Sequence, residues 1–264
     1  MTVPIAARLT SRLRSLAFAL LFPALVLGWW EWESRKSAGH AYAFAPLEQI
    51  GRSFAEMLAD GTLLLHAGAS LQRALTALLI GGSFGIATGI ATGLSRLLDR
   101  TASPLITTMR QVPILGWLPL VALWFGNGDG AKLLLVSLSA FYPTVLNTQK
   151  GMQAVEQRHA EVGRLYGFTR MQALRLIAWP SALPLIFTGI SQALAFSWIA
   201  TIGVELLFSA TAGLGTQMMA AQVAARTDVV LVCVACVGVM GFALNQLFAL
   251  LRARLLRWQG AAAK

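Results

Sequence analysis

Hydrophobic and polar positions along this chain come in blocks rather than in alternation. Six apolar stretches, near 16–32, 74–94, 104–125, 131–148, 182–207 and 229–251, approach the roughly 20 residues that cross a bilayer as one helix. Several contain proline or glycine, which bilayer helices tolerate when neighbouring helices or water satisfy the freed backbone groups. The pattern predicts an all-α, polytopic membrane protein with about six transmembrane helices. Composition strengthens this: 56% of residues are hydrophobic, 12% are charged, and the mean hydropathy is +0.65, far above a soluble domain.

The net charge of +10 raises a nucleic-acid reading, which the placement of the basic residues removes. Arg8, Arg12 and Arg14 precede the first stretch, and Arg96 and Arg100 follow the second. Lys150, Arg158, Arg164, Arg170 and Arg175 lie between the fourth and fifth; Arg252, Arg254 and Arg257 follow the sixth. In a six-span arrangement all four groups share one side, so the positive-inside rule places both termini in the cytoplasm. Segment 33–61 balances Arg35, Lys36 and Arg52 with Glu33, Glu48, Glu56 and Asp60, as an outer segment does. Ala41-Tyr42-Ala43 has the pattern of a signal-peptide cleavage site but lies beyond the polar stretch 31–36, so residues 16–32 read as a retained anchor.

Candidate chemistry is sparse. Cys233 and Cys236 form a CxxC inside the sixth apolar stretch, where two small packing residues are the better reading than redox or metal chemistry. His40, His66 and His159 are scattered, so no metal site is expected, and no GxxxxGK[ST] phosphate loop occurs. Gly85, Gly89 and Gly93 repeat every four residues along one helix stripe, suited to close backbone approach within the chain or at a subunit interface. Segment 61–73 is only partly apolar and reads as an interfacial helix with Arg73 snorkelling.

Two spans carry ionisable residues. In SPLITTMRQVPILGWLPLVALWFG (103–126), Pro104, Pro113 and Pro119 predict a break around 109–119, and Arg110 sits at it. Irregular backbone at membrane depth needs protein or a water-filled cavity around it, so Arg110 is a pathway candidate, with snorkelling at the boundary as the alternative. Glu205 in IATIGVELLFS should face the bundle or the outer water, either as partner to an arginine or backbone amide or as a gate.

One polar interruption is organised differently. EVGRLYGFTRMQALRLIAWP (161–180) carries three arginines, one glutamate and two glycines. A surface helix over 152–166 would end at Gly167, a C-terminal cap. Thr169 and Gln172 form a T-x-x-Q capping box for a second helix, with Met171, Leu174 and Ala178 on one face. Pro180 and Pro184 mark the return to the bilayer. The result is a helix-glycine-helix elbow of the kind a soluble partner holds.

Glu161, Gly167, Ile177 and Trp179-Pro180 have the spacing of the "EAA" loop, usually E-A-A-x3-G-x9-I-x-L-P, and this loop resembles that of permease subunits in ABC importers. Val162-Gly163 and Trp179 are mild departures. LPLVALWFG (118–126), FYPTVLNTQKG (141–151), ELLFSATAGLG (205–215) and RTDVV (226–230) resemble the nitrate, sulfonate, taurine and bicarbonate branch, continuously from about 46 to 258. The resemblance implies a type I importer permease with a MetI-like fold in a bacterial inner membrane. Its parts would be a cytoplasmic N-terminus (1–15), an anchor (16–32), a periplasmic segment (33–61), a core (62–252) with a coupling loop at 152–180, and a cytoplasmic tail (253–264).

It implies as partners cytoplasmic ABC ATPases, a periplasmic substrate-binding protein and a second permease copy in a homodimer, within the lipid bilayer and without nucleic acid. ATP and Mg would be bound by the ATPase, leaving this chain without cofactor or catalytic residues. Glu161, Gly163, Arg164, Gly167, Phe168, Thr169, Arg170 and Pro180 are the coupling residues so implied; Arg110, Asn147 and Glu205 are the pathway candidates. A gradient-driven secondary transporter would show inverted repeats, which are not evident here. A membrane assembly or adaptor protein would share the spans and the docking loop but not the transport.

Overall fold

Polar residues interrupt the apolar blocks without breaking the helices that carry them. The computed structural model describes residues 21–37, 43–154, 163, 165–208 and 212–257, and among these every regular element is helical. In chain order they are α1 (21–34), α2 (Leu47–Ala59), α3 (Thr62–Leu94), α4 (Arg96–Met109), a 3-10 turn (Ile114–Trp117) and α5 (Leu118–Phe125). Then come α6 (Asp129–Gln153), α7 (Arg170–Ala173), a π turn (Leu174–Ala178), α8 (Trp179–Leu207), α9 (Leu214–Val223) and α10 (Thr227–Leu255).

Three helical stretches are long and apolar enough to cross a membrane: Thr62–Leu94, Met171–Leu207 and Thr227–Leu255. A fourth span forms if α4 and the segment Ile114–Phe125, bent by 91° at their junction, count as one. The expected fourth stretch, 131–148, lies within α6, a helix of 25 residues and so about 37 Å long. It is less apolar because it buries Ser137, Ser139, Thr144, Thr148 and Gln149 among its neighbours. The anchor at 16–32 and the tail at 253–264 are described only in part, and residues 1–15 lie outside the described residues.

The chain divides into two compact units, one of residues 1–61 and 220–232, the other of 62–219 and 233–264. In the first, Trp29 and Trp30 meet Phe44 edge-on, and the Trp30 indole donates to the Ala45 carbonyl at 3.0 Å. Ser53 of α2 donates to the buried Asp228 carboxylate at the start of α10, which also takes Arg226 at 2.7 Å. That hydrogen bond and the charge behind it push the Arg226 guanidinium above its ordinary range.

In the second unit, α3 and α6 pack backbone to backbone. A Cβ at Gly85, Gly89 or Gly93 would lie 2.8, 2.6 or 2.6 Å from the Cβ atoms of Thr144, Thr148 and Met152. The glycine stripe therefore serves packing within the chain, which lets two helices approach without side chains between them. Val121, Leu135, Val136, Ala200, Val204 and Phe208 close an apolar core beside it.

The interfacial helix expected at 61–73 does not form. Thr62–Leu94 is one continuous helix of 33 residues, and the Arg73 side chain is 9% exposed rather than snorkelling. The reason is a buried acidic partner far along the chain, described below.

Candidate functional site: a cationic cavity, a buried charge network and an elbow

The break predicted around 109–119 is present. α4 ends at Met109, Arg110 caps it, and the chain resumes as a 3-10 turn after Pro113. Pro113 has no amide hydrogen and disfavours helix at Val112, while Pro119 sits in the first turn of α5, where a missing donor costs nothing. Pro104 lies inside α4, and the Thr108 hydroxyl donates to its carbonyl at 2.9 Å.

The turn faces α6 and α8 across a cavity of about 640 Å3. Arg110, Tyr142, Asn147, Lys150 and Gln192 supply much of its polar wall, and no aspartate or glutamate among the described residues lines it. Asn147 donates its amide to the Pro143 carbonyl at 2.8 Å and to Gln192 Oε1 at 3.0 Å. Among the described residues neither Arg110 nor Lys150 has an ion-pair partner. Both are exposed at the cavity wall.

Of the three pathway candidates, Arg110 and Asn147 line this cavity and Glu205 is not in its wall. Its side chain is fully buried elsewhere. The Arg73 guanidinium pairs with it, the Ser70 hydroxyl lies 2.8 and 2.9 Å from its two oxygens, and the Gly215 amide donates at 3.0 Å. Ser70 Oγ in turn accepts the Leu214 amide at 2.8 Å, and His66 Nδ1 accepts the Gly213 amide at 3.1 Å. Arg73 also reaches Asp129 and the Ala212 carbonyl, each at 3.2 Å, and the fully buried Lys132 lies 3.9 Å from Asp129.

The carboxylate accordingly sits at the buried N-terminus of α9, where it takes the Gly215 amide and the helix dipole favours negative charge. This explains the glycines of ELLFSATAGLG. A Cβ at Gly213 would lie 2.6 Å from the carboxylate oxygens, and one at Gly215 would lie 2.7 Å from Glu205 Cβ.

The elbow is seen in its second half. Gly167 has φ +67°, and the Phe168 amide donates to the Gly163 carbonyl at 2.9 Å, closing a Schellman motif. The Thr169 amide donates to Gln172 Oε1 at 2.8 Å and the Gln172 amide to Thr169 Oγ1 at 3.3 Å, the two halves of the capping box. Gly163 is buried, and a Cβ there would meet Ile177 Cδ1 at 2.8 Å, so the isoleucine tip would have to move.

Leu174 and Ala178 pack against Met152, Ala182 and Ile186, whereas Met171 turns outward, 56% exposed. A five-residue π turn, Leu174–Ala178, follows α7. The Trp179 amide reaches back to the Leu174 carbonyl, and Pro180 follows with no amide of its own. Trp179 stands at that joint, 38% exposed. Leu165 and Tyr166 are exposed beside Gly167. Glu161, Arg164 and most of the first elbow helix lie outside the described residues; Arg170 opens α7.

Sequence reasoning missed Lys150, Gln192 and Tyr142 as cavity residues. The signal was available on α6, where positions 139, 142, 143, 146, 147 and 150 repeat at helical spacing and all line the cavity.

Comparison with known proteins agrees with this architecture. The chain is 35% identical to the taurine transport system permease protein TauC of Escherichia coli (strain K12), over 76% of this chain and 73% of that protein. It is 31% identical to the putative aliphatic sulfonates transport permease protein SsuC of Bacillus subtilis (strain 168), over 92% and 87%. A crystal structure of an amino acid ABC transporter with histidines shares the fold, with TM-score 0.65 and 21% identity over 76% of this chain and 98% of that one. The family described as binding-protein-dependent transport system inner membrane component matches residues 81–257. This chain belongs to that family and is a membrane-spanning permease subunit of an ABC importer.

Proposed function

We propose that this permease carries a small anion through the cavity at Arg110 and Asn147, driven by a separate ATPase seated on the elbow. The observation that carries the reading is a cavity wall that, among the described residues, has two cations and no carboxylate. Relatives named for taurine and aliphatic sulfonate transport, all anionic at the sulfonate, support it.

In this reading two copies of the chain form a homodimer with both termini in the cytoplasm, and a periplasmic binding protein delivers the substrate. ATP and Mg bind the ATPase, and this chain performs no covalent chemistry. Glu161, Gly163, Arg164, Gly167, Phe168, Thr169, Arg170 and Pro180 form the coupling surface. Capping hydrogen bonds hold the start of the second half of the elbow, and the exposed Leu165, Tyr166 and Met171 give a partner apolar surface to bury. ATP-driven closure of the ATPase pair moves the elbows and shifts the permease between inward and outward access. Such driving requires each ligand to prefer one conformation.

The test is purification of the chain with its genomic neighbours. A Walker-motif ATPase should co-purify and hydrolyse ATP faster with substrate-loaded binding protein, and Gly167→Pro should abolish that stimulation while membrane insertion persists. Uptake driven by an ion gradient without any ATPase would overturn the proposal.

A further inference from the structure

α2 belongs neither to the cavity nor to the elbow, and its 13 residues carry three stripes. Ser53 and Met57 are buried and Ile50 is half-buried, so one stripe packs on the protein. Leu47, Phe54 and Leu58 fall within about 40° of one another around the helix, and all three are exposed. Glu48, Gln49, Arg52 and Glu56 occupy the far side, also exposed, with Arg52 paired to Glu48. A helix packed on protein along one side and half-sunk in a bilayer along the next uses all three stripes.

Two ties fix the depth of α2. Pro46 offers its start no side-chain cap, and the Leu47 amide instead donates at 3.0 Å to Glu31, near the end of α1. Trp29 and Trp32 are exposed on that same stretch of α1, and the Lys36 ammonium lies 3.9 Å from the centroid of the Trp32 ring. Tryptophans so placed mark the headgroup level of a spanning helix. Six residues on, about 9 Å along α2, Ser53 donates to Asp228 at the start of the span Thr227–Leu255. One tie is to the end of a membrane helix and the other to the beginning of a second, so α2 runs along the membrane surface rather than away from it.

We infer that α2 is an interfacial helix, with the Leu47, Phe54 and Leu58 stripe sunk in the headgroup layer of the bilayer face where α1 ends and α10 begins. Part of segment 33–61, which reads from sequence as lying outside the membrane, is therefore in its surface. The interfacial role expected of 61–73 falls to α2 instead. Burial of the stripe in lipid holds the joint between α1 and the start of α10 at a fixed depth. The inference needs α1 and α10 to be membrane helices and is independent of what the permease carries.

The test places a nitroxide on one cysteine at a time, L47C, F54C, L58C, E48C, R52C or E56C, in the permease–ATPase complex held in nanodiscs of phosphatidylethanolamine and phosphatidylglycerol. Cys233 and Cys236 are kept, and their labelling in the unsubstituted chain is subtracted. Depth is read by power saturation against oxygen and a nickel chelate. L47C, F54C and L58C should lie about 5–10 Å below the lipid phosphates, with E48C, R52C and E56C in water. Substrate-loaded binding protein should leave the first three unchanged, and Phe54→Asp with Leu58→Asp should bring L47C to the aqueous value.

Equal depths at all six positions overturn the inference. So does shielding of positions 47, 54 and 58 that appears only once the binding protein is added, which would make the stripe a seat for that protein instead of for lipid.

Discussion

The network around Glu205 and the cavity around Arg110 place similar charged groups in opposite circumstances. Glu205 is fully buried and receives an arginine, a hydroxyl and a backbone amide, so its charge is consumed inside the fold. Arg110 and Lys150 line a cavity with no carboxylate among the described residues of its wall. A buried ion pair costs desolvation that only good geometry and extra hydrogen bonds repay, and the glycine loop over Glu205 supplies those bonds. A charged residue inside a span is thus not by itself a pathway residue. What separates the two regions is whether the charge is already satisfied.

The comparison breaks most visibly at Glu205. Glu205→Ala takes from the buried Arg73 guanidinium one of its two carboxylate partners, leaving Asp129, removes the acceptor of the Gly215 amide, and should destabilise the chain by about 3 kcal/mol. It would be read as loss of monodisperse protein and a lower unfolding temperature in detergent; a wild-type melting profile would contradict the network's structural role. Gly215→Ala pushes a methyl group toward Glu205 Cβ and the Ile202 carbonyl, at 2.7 Å from each, and should cost about 1–3 kcal/mol by the same assay.

Arg110→Ala tests the opposite side. Stability should stay within about 0.5 kcal/mol of wild type, as for an exposed side chain without an ion-pair partner, while the initial rate of uptake falls. Thr169→Ala should cost about 1 kcal/mol, confined to local helix stability and seen as faster amide exchange over the first turn of α7. Unchanged exchange there would mean that the capping box does not hold the elbow.

What the sequence made legible was local. Gly167, the Thr169–Gln172 pair and the prolines at 113 and 119 act within a few residues of themselves, so spacing alone announced the elbow and the break. The stripe at 85, 89 and 93 announced a close approach, though only the fold chose α6 as its partner.

What was not legible was long-range. Arg73 read as an interfacial residue because its partner Glu205 lies 132 positions later, and no local pattern links them. The same distance hid the bond between Ser53 and Asp228, 175 positions apart. Lys150 read as a marker of the cytoplasmic side, because its place on one face of α6 with Asn147 acquires meaning only when Arg110 and Gln192 arrive from other helices. The π turn at 174–178 escaped because helical periodicity assumes a uniform turn. Trp179, an unexplained departure from the usual loop, marks where that turn meets α8.

The central claim is that an ATPase drives an anion past Arg110. The most direct measurement is uptake of radiolabelled butane-1-sulfonate into proteoliposomes holding the permease, its ATPase and its binding protein, with ATP on the ATPase side. The account predicts uptake that requires ATP, persists without an ion gradient and drops at least about tenfold in Arg110→Ala with its ATPase still bound. Uptake that needs a gradient rather than ATP, or that proceeds at the wild-type rate in Arg110→Ala, would contradict it.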